Sequence, residues 1–202
     1  MGMQLTPTNL LHFISILSPF LLGFFLVMSS IFNQDLKGLV YLAGILIACI
    51  ITIFLMNILL SEMSPDASPV CKIIDFSLIG NYNSPCITSM IIAFTMAYLF
   101  LPMQYNKQMN YVVVVALIAL FIINMFTKVF DKCTTYGGAI LGGIIGFMMG
   151  TAWYVLFHAY GYDSLLYFDE FISNNTVCKR PRKQTFKCSV YKNGELIESN
   201  VV

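Results

Sequence analysis

Charge is what this chain has least of. Asp, Glu, Lys and Arg make up 10% of its 202 residues, where a soluble domain carries about 25%. None of them stands in the middle of a long apolar run, so a proton or ion relay across a membrane lacks its carriers. Only two histidines are present, His12 and His158, and no Cys-x-x-Cys pair, so neither a metal site nor a cofactor is expected. Both arginines, Arg180 and Arg182, lie near the C-terminus. Neither Cys86 nor Cys133 therefore has the five-residue spacing to Arg that a cysteine phosphatase loop requires. The opening residues Met1 to Thr8 contain no Lys or Arg, and no small-x-small site follows the first apolar run. That run is expected to remain as a helix and not to be cleaved.

What fills the chain is apolar. Hydrophobic residues reach 58% and the mean hydropathy is +0.78, which defines an integral membrane protein. A helix needs about 20 residues to cross the hydrocarbon core. Five runs meet or approach that length: Asn9 to Phe32, Leu39 to Ser61, Ile87 to Met103, Tyr111 to Phe126 and Tyr136 to Tyr160. The expected fold is an all-α five-span helical bundle over residues 1–160. A polar C-terminal tail, 161–202, follows it.

Lys and Arg are retained on the cytoplasmic side during insertion. Lys37, Lys107 and the tail residues Lys179, Arg180, Arg182, Lys183, Lys187 and Lys192 fall on one side; Lys72, Lys128 and Lys132 fall on the other. The expected orientation puts the N-terminus in a lumen or outside the cell and the C-terminus in the cytoplasm. Cys71, Cys86 and Cys133 then share the lumenal side, where a disulfide such as Cys71 to Cys133 is open but not assignable from sequence. Asn174-Asn175-Thr176 is a glycosylation sequon by pattern, yet this topology leaves it in the cytoplasm.

A long linker, Glu62 to Ser84, joins the second and third spans, with a semi-apolar middle from Val70 to Ile79 suited to the membrane surface. After the fifth span, Asp163 to Ile172 suits a short interfacial helix. Trp153, Tyr154, Tyr160 and Tyr162 suit an aromatic belt at that interface. The basic run Lys179, Arg180, Arg182 and Lys183 suits an anionic membrane surface or a topology anchor, with a protein or nucleic-acid contact as the other reading; nucleic acid is the less expected partner. From Gln184 to Val202, alternating Phe186, Cys188 and Val190, then Asn193-Gly194, then Leu196 and Ile197, read as a β-hairpin. A lone hairpin is marginal in water, so it is expected to dock on the helices, on a second copy or on a partner.

Three short segments carry the chemistry. Asn57, six residues, then Ser64-Pro65 have the spacing of a phosphate-binding Lys followed by Arg-Pro. Pro85-Cys86-Ile87-Thr88-Ser89 opens the third span, where Pro-Ser-Gly-His would stand. Thr127-Lys128, five residues, Thr134, three residues and Gly138 reproduce the spacing of Ser-Arg, His and Asp. On these segments the chain resembles the type 2 phosphatidic acid phosphatase superfamily, related to the vanadium haloperoxidases, over about residues 37–160. The run Gly-Ala-Ile-Leu-Gly-Gly-Ile-Ile-Gly from Gly138 is similar to the helix after that family's third motif.

The resemblance implies an active site, and the residues at its positions are the wrong ones. The family mechanism uses a nucleophilic imidazole, an Asp that orients it, a second His as acid, and cations for the phosphate. Here Thr134 stands for the nucleophile, Gly138 for the orienting Asp, Thr88 for the acid, and Asn57 and Ser64 for two cations. Lys128 alone keeps its charge. The resemblance therefore implies a pseudoenzyme, with Asn57, Ser64, Thr88, Lys128 and Thr134 left as phosphate or headgroup hydrogen-bonding groups in a cleft between the second, third and fifth spans. Gly138, Gly142, Gly146 and Gly150 repeat every four residues, a stripe for close helix packing within the chain or for a homodimer face. His12 is either a packing residue or an approach to the lumenal site from the first span. Asp131-Lys132 beside Lys128 is either a headgroup contact or a solvated pair.

The function expected is a non-catalytic membrane scaffold or lipid-headgroup binder, with membrane lipids as partners. Two alternatives stay open: a structural membrane protein recruiting a partner through its tail, and an active lipid phosphate or pyrophosphate phosphatase.

Overall fold

Helix α3, Ile87–Tyr105, is the least hydropathic of the spans and the most enclosed: 61% of its most apolar window is buried, against 17–28% for the others. The two facts have one cause, because a helix surrounded by protein has no need of a lipid-facing surface. In this computed structural model residues 7–59, 71, 84–107, 109–168, 187–192 and 195–201 are described. Around α3 stand α1 (Pro7–Asn33), α2 (Lys37–Leu59), α4 (Tyr111–Phe130) and α5 (Tyr136–Ala159). All five are long and apolar enough to cross a membrane. Their exposed residues are those lipid would cover, among them Phe24, Phe25, Ile50, Phe54, Val112 and Met148.

The closest packing is between α3 and α5. A Cβ placed on Gly142 would lie 2.3 Å from the Cys86 carbonyl oxygen, and one on Gly146 would lie 2.1 Å from that of Met90. Gly150 meets the Phe94 carbonyl oxygen in the same way. The stripe thus lets two backbones touch within one chain, where dispersion contacts replace lipid.

Helix α2 reaches the core through Tyr41, whose ring lies 5.6 Å from Tyr98 and 6.2 Å from Phe94. Its hydroxyl shares a 2.6 Å hydrogen bond with Thr95. Trp153 donates its indole N–H to the Val40 carbonyl at 3.1 Å. Tyr154 is buried. These two rings are packing residues and correct the expected aromatic belt; Tyr160 and Tyr162 remain exposed. A ring with an N–H or O–H is used at a span end wherever a carbonyl or hydroxyl is within reach, and lipid headgroups are only one source of such partners.

Pro19 interrupts α1. Proline has no N–H to give the carbonyl four residues back, and that carbonyl, of Ser15, instead accepts from the Ser18 hydroxyl at 3.2 Å. The helix continues because the lost bond is replaced locally.

Two expected boundaries move. Helix α4 runs to Phe130, four residues beyond the expected Phe126, so Thr127 and Lys128 lie in its last turn and not in a loop. Thr127 turns its hydroxyl back to the Ile123 carbonyl at 2.8 Å, consistent with a helical residue at a polar end. Beyond α5, the described part of the expected interfacial helix, residues 163–168, holds one 3₁₀ turn, Asp163–Leu165, which ends as Leu166 becomes extended. Tertiary contacts decide this. Leu166 is buried against the core, Tyr167 donates to the Leu26 carbonyl, and Asn106 donates to the Phe168 carbonyl at 3.3 Å. Burial pushes the Tyr167 phenol up to about 12, and the charge of Asp35 adds to the shift.

Residues 171–202 form a separate unit. Strands β1 (Lys187–Lys192) and β2 (Glu195–Val201) pair antiparallel, with a register shift between Val190 and Tyr191. The hairpin expected from alternation is present, while its expected turn, Asn193-Gly194, lies outside the described residues. So do Ser64, the middle of the 62–84 linker apart from Cys71, the sequon and the basic run Lys179, Arg180, Arg182 and Lys183.

Candidate functional site

One end of the bundle gathers the residues that the sequence marks. Helices α3 and α5 begin there and α4 ends there. The Cys86 N–H donates to the Gly138 carbonyl at 3.0 Å, tying the two helix starts together. Thr135 caps α5, its hydroxyl accepting from the Gly138 N–H at 3.1 Å. Between α4 and α5 the Cys133 N–H returns to the Lys128 carbonyl at 2.9 Å, and Lys132 takes a left-handed φ of 57°. Cys133 is joined to Cys71 by a disulfide with a Cα–Cα distance of 5.3 Å, which pins the linker to this turn.

The expected site residues separate into groups. Thr134 is buried, and the space a side chain at 138 would need is already taken: a Cβ there would lie 2.6 Å from Thr134 Oγ1 and 3.1 Å from Ser84. Thr88 is half-buried in the first turn of α3, its hydroxyl 3.3 Å from Cys86 Sγ. Lys128 is half-buried at the end of α4 and enters no ion pair or side-chain hydrogen bond among the described residues. Asn57 is exposed near the end of α2 and makes no side-chain hydrogen bond among the described residues. The expected cleft between the second, third and fifth spans is corrected accordingly. Its Lys128 belongs to the fourth span, its Asn57 faces outward, and backbone contact between α3 and α5 leaves no gap along the glycine stripe.

The polar core at this end lies between α1, α3 and α4. Asn124 is fully buried; its side-chain oxygen accepts from the Ser15 hydroxyl at 3.2 Å, and its amide donates to Ser89 at 3.1 Å. Two turns further out, His12 Nδ1 lies 2.8 Å from Asp131 Oδ2. Both contacts join the same two helices, since residues seven apart, such as Asn124 and Asp131, share a helix face. His12 is thus a packing partner that holds α1 to α4, and Asp131 belongs to that pair, which removes it from the expected Asp131-Lys132 headgroup contact. Asn124 and Ser15 escaped sequence reasoning, although an amide in an otherwise apolar span was the available signal: it must find a partner in hydrocarbon. Asn124→Ala is expected to lower stability by about 1–2 kcal/mol, read as an earlier thermal transition in detergent; an unchanged transition would mean that the network carries no load.

At the opposite end His158 Nδ1 lies 2.7 Å from Asp163 Oδ1, and its ring stacks on Tyr154 with centroids 5.7 Å apart. No group of three His, Cys, Asp or Glu residues suited to a metal occurs among the described residues. Compared with protein-family models, curated proteins and solved structures, the chain matches none.

Proposed function

We propose that this is a non-catalytic multi-pass membrane protein that holds an anionic lipid headgroup at its disulfide-bonded end, in the manner of a retired lipid phosphatase site. The observation that carries the reading is the pairing of Lys128, which has no counter-ion among the described residues, with a closed Thr134–Gly138 contact. A half-buried lysine with no counter-ion among the described residues attracts an anion. The family's orienting carboxylate has no room at 138 as the chain stands, because the Thr134 and Ser84 side chains occupy the place where a side chain there would start.

The same end is proposed to face a lumen or the cell exterior, with the C-terminus in the cytoplasm. The Cys71–Cys133 bond supports this side assignment, because structural disulfides persist in oxidising compartments. It agrees with the distribution of Lys and Arg in the loops. A scaffold role through residues 171–202 is the second reading, favoured by the hairpin forming a unit of its own that is marginal without a partner surface.

The deciding assay is phosphate release from phosphatidic acid and isoprenyl pyrophosphate, measured beside retention of the same lipids. The native protein is expected to release none and to retain phosphatidic acid, with retention falling in the Lys128→Ala, Thr134→Ala double variant. Release that disappears in that variant, or in His12→Ala, would establish an enzyme and overturn the reading. Retention unchanged by the double variant would move the function to the tail.

A further inference from the structure

The lipid-facing side of the bundle is not smooth between α4 and α5. Where α4 and α5 diverge over α3, an open groove of about 320 Å³ is lined by Ala93 on its floor, Phe121 on one wall, and Ile140, Ile144 and Phe147 on the other. That volume is at the lower end of the range of about 300–1,000 Å³ for small-molecule sites. The lining is almost entirely apolar. Gly143 keeps the groove as it is: a Cβ there would lie 2.7 Å from the tip of the Phe121 ring.

The position of the groove relative to Lys128 gives it a direction. Phe121 and Lys128 are seven residues apart on α4, hence on nearly the same face and about 10 Å apart along the axis. Lys128 therefore stands above the Phe121 wall, toward the disulfide-bonded end. Phe126 and Tyr136 meet edge to face at 6.4 Å and link α4 to the first turn of α5 at that level. From the membrane edge inward, this face of α4 presents a cation with no counter-ion among the described residues and then the wall of an apolar channel. That is the order of parts in an anionic lipid.

We infer that the α3–α4–α5 groove seats one acyl chain of an anionic glycerophospholipid whose headgroup lies against Lys128. The inference rests on the headgroup reading above and adds the place of the chain. Charge complementarity selects this occupant over a neutral lipid, and the open side of the groove lets the second chain remain in the bilayer. A lysine at this position can lay its methylene stem along the wall and present its ammonium to the interface.

The test uses the full chain in phosphatidylcholine vesicles containing a minor fraction of phosphatidic acid with a photoreactive diazirine in its acyl chain. After irradiation, adducts are mapped by peptide mass spectrometry. Adducts are expected to concentrate on Phe121, Ile144 and Phe147, and to fall at least five-fold in Ile144→Trp, which fills the groove. Ile144 is 51% exposed, so the larger ring does not enter the core. Lys128→Ala is expected to reduce labelling by phosphatidic acid and to leave weak labelling by the matching phosphatidylcholine probe unchanged. Adducts spread evenly over the exposed faces of α1 and α2, or groove labelling indifferent to Ile144→Trp, would overturn the inference. If Lys128-dependent retention persists without groove adducts, the chain site fails while the headgroup reading survives. If phosphatidylcholine labels the groove as strongly and Lys128→Ala changes nothing, selection for an anionic lipid fails. Crosslinks between copies through α5 would make the occupant a second chain, which also overturns it.

Discussion

Gly146→Val is expected to prevent α3 and α5 from closing and to cost at least about 3 kcal/mol, at or beyond the upper end of ordinary overpacking. The reason is the identity of the neighbour. The new Cβ would start 2.1 Å from the Met90 carbonyl oxygen, and a backbone carbonyl inside a helix cannot turn away without breaking that helix. Two controls grade the effect. Gly143→Ala meets only the end of the Phe121 ring at 2.7 Å, which a small rotation relieves, and Gly23→Ala meets nothing within 4 Å. The expected order of apparent melting temperatures in detergent is Gly23→Ala at or above the native value, Gly143→Ala slightly below it, and Gly146→Val far below or not folded. A Gly146→Val protein with native stability would mean that α3 and α5 do not touch along this stripe.

Loss of the disulfide is the second large effect. Cys71 and Cys133 are 62 residues apart, and a closed loop of that length is worth up to about 4 kcal/mol in the chain-entropy account. Cys133→Ser is expected to lower thermal stability within that bound. It also frees Cys71, which should then react with a membrane-impermeant maleimide applied from the lumenal or extracellular side of sealed membranes. The native protein should react there only after reduction. Labelling restricted to the cytoplasmic face would invert the proposed topology, and equal labelling of native and variant proteins without reductant would show that the bond does not form.

The helices were readable because hydrocarbon imposes one requirement on every span, and the runs that satisfied it lie within a few residues of the helices. The glycine spacing showed a close contact, but a four-residue repeat is the same whether the second backbone belongs to the chain or to a copy. Its partner, α3, became identifiable only from the carbonyls of Cys86, Met90 and Phe94. The site was less legible. Motif spacing placed Lys128, Thr134 and Gly138 at one end, yet Lys128 turned out to share a face with Phe121, a relation fixed by α4 running four residues further than its apolar run. His12, Ser15, Asn124 and Asp131 are joined in pairs across more than a hundred residues of sequence. No local pattern encodes such pairs, because each polar residue has several helices on which a partner could stand.

The enclosure of α3 also bears on how the protein is made. Its chief neighbour, α5, is synthesised last of the five helices, after α4 has already followed α3 into the membrane. Until then the face of α3 that bears Met90, Phe94 and Ala97 lacks its main partner, and the carbonyls of Cys86, Met90 and Phe94 await the glycines that will pass over them. The chain thus contains an order of assembly: α3 is inserted as a dependent helix, and a ribosome stalled before Gly138 would leave it facing lipid. Truncation ahead of α5 removes one span from the count and the enclosure from another.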